Sequence, residues 1–348
     1  MNKRTRLFLL VAAAILVVGL GTGLVASYVG LQNLTIIGGT GPAELAYVPV
    51  DARAVAYANV RDVMNSELRR KLESIHPGGD GARSFQEQTG IDVEKDIDYL
   101  VAAVVGASSD PEVEGAPPLI LARGNFDQVR LEGFARQEGA TIDDYKGHRL
   151  ITHDKFGVAF VEPGLVAIGL PDSVKKAIDT KAGGGQNATN NDELLRLIRD
   201  VDDGTVWAVA KFDALAGSRL PPEFAGKLPQ ISWFSAKGVI GSGVDGQLRA
   251  ETRDDTAAQD LRQVIQGFMA LARMQTGSQP AIADFVNSIQ LGGTGKTVSL
   301  SFSVPASVID AIGGLRAQQP RVPRLPIEPP VPAPSTPEPQ KAPAPPAL

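Results

Sequence analysis

The chain has 348 residues, a formal net charge of −5, three histidines and no cysteine. Without a thiol there is no disulfide framework, thiolate metal site, cysteine nucleophile or lipid-acylated cysteine. Aromatic residues are 5% of the chain and the charge balance is acidic, which excludes the basic footprint and stacking platforms of a nucleic-acid binder. The length allows one large or two modest domains.

The chain opens with a basic segment, residues 1–6, carrying Lys3, Arg4 and Arg6. From Leu7 to Val29 every residue is uncharged and almost all are apolar or small. At about 1.5 Å per residue, a helix of that length crosses a hydrocarbon core of roughly 30 Å. The lipid bilayer is therefore the first expected partner. Basic residues flank only the N-terminal side, so the N-terminus should face the cytoplasm and the rest of the chain should lie outside the inner membrane. Val25-Ala26-Ser27 offers a weak cleavage site, but the apolar run exceeds the core of about 7–15 residues usual in a signal peptide. Gly19, Gly23 and Ser27 share one helix face at four-residue spacing, a pattern that lets two membrane helices approach closely.

Residues 30–47 read as a linker, with the turn-forming string Gly38-Gly39-Thr40-Gly41-Pro42. The extracytoplasmic domain is expected over 48–318, with a boundary between two similar lobes near 183–191. Its strands should alternate with helices in a repeated unit, in which a β-prone run ends, an aspartate follows and a helical pattern begins. Ala54–Val60 leads to Asp62, Leu119–Ala122 to Asp127, Val206–Ala210 to Asp213, and Leu248–Thr252 to Asp254-Asp255. An aspartate so placed caps a helix start and opposes its dipole. Pro171 and Pro305 mark two further helix starts. Phe156–Val161, Leu165–Leu170, Gln230–Val239 and Thr297–Val304 read as strands, with Gly147 and Gly164 in hairpin turns. From Asp255 to Met274 the residues Leu261, Val264, Ile265, Phe268, Met269 and Ala272 form one apolar helix stripe. Strand pairs mixed with strand–helix units imply an α+β fold with a largely antiparallel sheet and packed helices. Residues 319–348 are proline-rich and should be a disordered tail of polyproline II character, able to reach an envelope protein or the cell wall.

Three segments resemble chemical motifs and fall short of them. Gly292-Gly293-Thr294-Gly295-Lys296-Thr297 lacks the first glycine of a phosphate-binding loop and is followed by an alternating strand pattern, so it reads as a hairpin turn with no nucleotide. Asp92, Glu94, Asp96 and Asp98 alternate as in a calcium loop but lack its turn glycine and final glutamate. Asp143, Asp144, His148, His153 and Asp154 form the densest polar cluster, the place for an acid–base pair if the chain is an envelope hydrolase. His148 and His153 differ by five positions, so on one strand they point to opposite faces. Neither a catalytic residue, a metal ligand nor a cofactor-binding residue is assigned.

Tyr47-Val48-Pro49-Val50-Asp51-Ala52, Ala56–Ser66, Gln88-Thr89-Gly90-Ile91-Asp92, Lys95-Asp96-Ile97-Asp98 and Gly124-Asn125-Phe126-Asp127 resemble an uncharacterised family of single-anchor extracytoplasmic proteins of acidobacteria-like bacteria. The likeness covers about residues 45–315. It implies a membrane-tethered envelope protein and transfers no chemistry. Binding or scaffolding in the envelope is the function expected first. A carrier of a small or hydrophobic ligand, and a hydrolase using the Asp143–Asp154 region, are its alternatives.

Overall fold

The structure, a computed structural model, describes residues 41–75, 86–87, 90–105, 118–183, 186–212, 230–275 and 280–308. The anchor segment from Leu7 to Val29, its small-residue face Gly19, Gly23 and Ser27, the loop centre 184–185, Asp213 and the tail 319–348 lie outside those residues. No helix among the described residues is long and apolar enough to cross a membrane.

The described residues form an α+β domain on one antiparallel sheet. Its strands are β1 (Ala52–Asn59), β2 (Ile97–Val105), β3 (Leu119–Gly124), β4 (Thr141–Tyr145), β5 (His148–His153), β6 (Phe156–Glu162), β7 (Leu165–Gly169), β8 (Val206–Lys211), β9 (Ile231–Ile240), β10 (Val244–Thr252), β11 (Gln290–Gly292) and β12 (Thr297–Val304). Their order across the sheet is β11-β12-β10-β9-β8-β1-β2-β3-β7-β6-β5-β4. The expected lobe boundary at 183–191 is bridged by the β1·β8 ladder, so a single sheet runs through both halves.

The helices are α1 (Val60–Asn65), α2 (Glu67–Ile75), α3 (Val93–Asp96), α4 (Gln128–Gln137), α5 (Pro171–Ala182), α6 (Asp192–Arg199), α7 (Asp255–Gln275) and α8 (Pro280–Ser288). Asp127 caps α4 by accepting from the amide of Arg130, and Asp254 caps α7 by accepting from that of Ala257. Asp62 does not cap α1. Asn59 does, one turn earlier: its side chain accepts from the Asp62 amide and donates to the Asp62 carboxylate. Pro171 opens α5 as expected for a residue whose missing amide would be an orphan there.

Alternation along each strand divides the sheet into two faces. On the first face Val55, Val101, Leu121, Ala167, Ala159 and Val209 are buried beneath Val174, Ala177 and Ile178 of α5 and Leu194, Leu197 and Ile198 of α6. Each large side chain so covered contributes roughly 1.5–3 kcal/mol. A 3-10 turn, Ala43–Tyr47, joins this cover. Leu45 and Val48 are fully buried, so the linker assigned to 30–47 ends before this turn. Pairing explains why: the backbone from Val48 to Val50 is bonded to Gln186 and Ala188, and Asn191 Nδ2 donates to the Val50 carbonyl.

On the second face the cover is elsewhere. α7 sets Ala258 and Leu261 against Ala250 and Val298. α8 brings Phe285 edge-on to Phe302, with ring centroids 6.2 Å apart. At the opposite end of the sheet, α4 lies over β4 and β5, where Glu132 accepts from Arg149 at 2.9 Å. β6 and β7 meet at a tight hairpin. Gly164 sits at φ +72°, and a Cβ there would stand 2.8 Å from the Gly124 carbonyl oxygen, so only glycine closes this turn without strain.

Candidate functional site

The polar cluster of the sequence does not converge. Asp143 and Asp144 lie on the exposed edge strand β4, and Asp144 accepts from the Gly147 amide. His148 Nδ1 sits 3.1 Å from the Phe160 carbonyl oxygen and shares the first face with Leu150. His153 points from the second face, 3.7 Å from Asp154 at the exposed turn. No group of three or more histidine or acidic side chains among the described residues is placed to hold a metal. In the acidic turn, Asp92 caps α3 and pairs with Lys95, while Asp98 pairs with Arg61. The 292–297 segment is the turn between β11 and β12.

The buried charge lies at a place the sequence did not signal. Glu44, in the 3-10 turn, is fully buried. Its Oε1 accepts from Arg123 Nε at 2.9 Å, from a terminal nitrogen of Arg123 at 2.6 Å and from Tyr99 Oη at 2.8 Å. Its Oε2 is the one buried side-chain nitrogen or oxygen among the described residues with no hydrogen-bond partner. Arg123 also reaches Glu162, which accepts from Tyr47 Oη at 2.7 Å. Burial and the neighbouring carboxylates push the Tyr47 and Tyr99 phenols well up. Burial would raise Glu162 too, but the bonds from Tyr47 and Arg123 outweigh it and hold this carboxyl below its ordinary range. These bonds tie the 3-10 turn to β2, β3 and β6.

The second face carries the anomaly. Cross-strand registers define one row: Ala236 on β9 faces Ala208 on β8, which faces Ala56 on β1. The row continues through Ala102, Ile120, Ile168, Val158 and Ile151 on β2, β3, β7, β6 and β5. Ala236 and Ile151, its two ends, are buried on the α7 and α4 sides. The six residues between them are half-buried. In the adjoining row Ala54 faces Ala210 and Val104, and Val104 is 39% exposed. Phe156 on β6 is 53% exposed. A sheet face turned to solvent normally carries polar side chains, and alanine is poor in strands because it packs little. On this face alanine recurs at Ala54, Ala56, Ala102, Ala208 and Ala210, opposite Val55, Val101 and Trp207 on the other. With α7 along one side and α4 along the other, the result is a low apolar floor between two helical walls, six strands wide. At about 4.8 Å per strand that is roughly 29 Å.

The second half of the first face is its inverse. Lys237, Gln247, Gln290, Ser301 and Ser303 line an open hollow of about 400 Å³. Lys237 is held there by Asp203 at 2.7 Å.

This architecture has a counterpart among solved structures. Crystal form III of TP0453 overlays with a TM-score of 0.50 at 9% identity, covering 79% of this chain and 100% of that chain. The fold resembles that of TP0453. Form IV of TP0453 gives 0.47 at 8% identity, over 77% of this chain and 95% of that one, and form I gives 0.42 at 11%, over 79% and 98%. At these identities the likeness to TP0453 is one of fold alone. No family model matches the chain, and no curated protein matches it.

Proposed function

We propose that the chain is a single-span membrane protein whose domain is held outside the cytoplasmic membrane and binds an apolar, chain-like ligand along the alanine row. The half-buried row from Ala208 to Val158 carries this reading. Half-exposed apolar surface of this extent on one face marks a binding surface more often than a solvent face. The walls formed by α4 and α7 suit a thin occupant better than a second flat sheet.

The uncharged segment from Leu7 to Val29, with its basic N-terminal flank, supports the anchor. Residues 30–40, fully extended, span at most roughly 40 Å, so the floor stays within reach of the bilayer and of its acyl chains. This reading joins the envelope-binding role to the carrier.

The test is native mass spectrometry of the full chain released from detergent micelles. The parent chain should keep lipid adducts that Ala56→Trp and Ala102→Trp, which fill the floor, lose. Equal adducts on all three proteins would reject the alanine row as the site while leaving the anchor untouched.

A further inference from the structure

The ladder registers relate the two halves of the sheet by a rotation. At the centre Tyr57 on β1 faces Trp207 on β8, their rings stacked with centroids 5.6 Å apart. Moving outward from Tyr57, the facing residues are Val101 on β2, Leu121 on β3 and Ala167 on β7. Moving outward from Trp207, they are Lys237 on β9, Gln247 on β10 and Ser301 on β12. Every pairing is antiparallel, and all eight residues lie on the first face. In both halves the third strand leads into an aspartate-capped helix on the second face before the chain returns to the fourth strand.

A two-fold axis normal to the sheet, through the Tyr57–Trp207 pair, therefore carries one half onto the other. It sets Val101 on Lys237, Leu121 on Gln247 and Ala167 on Ser301 without reference to residue type. Continued along the fourth strand, the same register sets Pro171 on Pro305. There the sequences agree independently. Leu170-Pro171-Asp172-Ser173-Val174-Lys175-Lys176-Ala177-Ile178 stands against Val304-Pro305-Ala306-Ser307-Val308-Ile309-Asp310-Ala311-Ile312. Proline, serine, valine, alanine and isoleucine recur in step. Both prolines precede or open a helix. Val174 is buried in the first-face core, whereas Val308 is buried with Phe302 and Phe285 on the second face.

We propose that the chain is a tandem duplication of one four-stranded unit that pairs with its own copy through its first strand. The capping aspartates Asp127 and Asp254 fall one residue out of the strand register, a slip confined to the strand–helix junction. The copies have diverged in what covers the first face. Val101, Leu121 and Ala167 are fully buried in the first copy. Their counterparts Lys237, Gln247 and Ser301 line the open hollow of the second. The hollow is thus the second copy's version of the seat that α5 and the Ala43–Tyr47 turn fill in the first.

An experimental structure of the full chain, superposed on itself, provides the first test. The eight strands should overlay more closely than half the strand spacing of about 4.8 Å, with Pro171 on Pro305. A best self-superposition that pairs other residues, or turns about an axis in the sheet plane, overturns the duplication. Grafting gives a second readout. The full chain carrying L170V, D172A, K175I and K176D holds the second copy's nine residues in the first copy's seat. It should melt within about 4 °C of the parent. The same nine residues written one position later should lower the midpoint by more than about 10 °C. Equal losses from the in-step and displaced grafts would also overturn the equivalence.

Discussion

Arg123 places two of its nitrogens on the same oxygen of Glu44, at 2.9 and 2.6 Å, and so ties the first described turn of the chain to the third strand. The Glu44 side chain is inaccessible, and that of Arg123 is 23% exposed. Removing one partner of such a pair strands the other in a poorly hydrated site. Glu44→Ala should cost about 3–5 kcal/mol in chemical denaturation. The paired change Glu44→Leu with Arg123→Met should recover most of that loss, because no lone charge remains. A single-variant cost below about 1 kcal/mol would mean the pair is hydrated in solution.

Acid should loosen the seam between α6 and β10. Arg196 grips both oxygens of Glu251, at 2.7 and 3.0 Å. Burial pushes this carboxyl up, but Arg196, with Lys296 and Arg249, outweighs burial and holds it below its ordinary 4.5. A carboxyl with a depressed folded value stabilises fully above its unfolded value and loses that contribution as pH falls through the folded one. Urea midpoints followed from neutral pH to about pH 3 should fall in the parent. They should start lower and fall less steeply in Glu251→Gln. Parallel curves would remove Glu251 from the acid response.

Two glycines separate close packing from propensity. A Cβ on Gly124 would stand 2.1 Å from the Asp96 carbonyl oxygen and 2.7 Å from the Ile97 Cα, both backbone atoms. Gly124→Ala should therefore destabilise by more than about 2 kcal/mol. Gly133, inside α4, has nothing within 4 Å of its Cβ position, and Gly133→Ala should gain up to about 1 kcal/mol from helix propensity alone. Thermal melts of the two variants should move in opposite directions. A shared direction would reject the tight approach of β3 to the α3–β2 corner.

The proposed anchor predicts behaviour in vesicles. Alkaline carbonate should leave the full chain in the membrane pellet. Protease added to spheroplasts should digest the domain that inverted vesicles protect. Release by carbonate, or the opposite protection pattern, rejects the single span with its domain outside.

Much of the sheet was legible because its strands carry local signals. β12 coincides with the alternating run Thr297–Val304, and α7 with the apolar stripe beginning at Asp255. The Pro171 start and the Asp127 and Asp254 caps follow from chemistry confined to a few residues. Glu44 was not legible, since a lone glutamate after a glycine-rich string looks solvated until Tyr99 and Arg123, far along the chain, are seen to converge on it. Asn59 displaced Asp62 as a cap because helix α1 begins a turn earlier than the β-prone run suggests. The alanine row is invisible in sequence for a different reason. Ala56, Ala102 and Ala208 come from separate strands, and only the cross-strand register aligns them. The cluster from Asp143 to Asp154 was legible as a hairpin: the five-residue spacing of His148 and His153 sets them on opposite faces, as the β5 register places them.

The position of the Ala43–Tyr47 turn governs how the domain would answer tension. Its first ionic fastening, Glu44 to Arg123, lies in the interior and not at a rim. A pull arriving from the N-terminal side would therefore load the middle of the fold before any outer strand felt it. Detaching that handle would bare the first face from its centre outward, so the resistance of the domain to traction should be set by the fastenings of this turn, the Glu44 carboxylate among them.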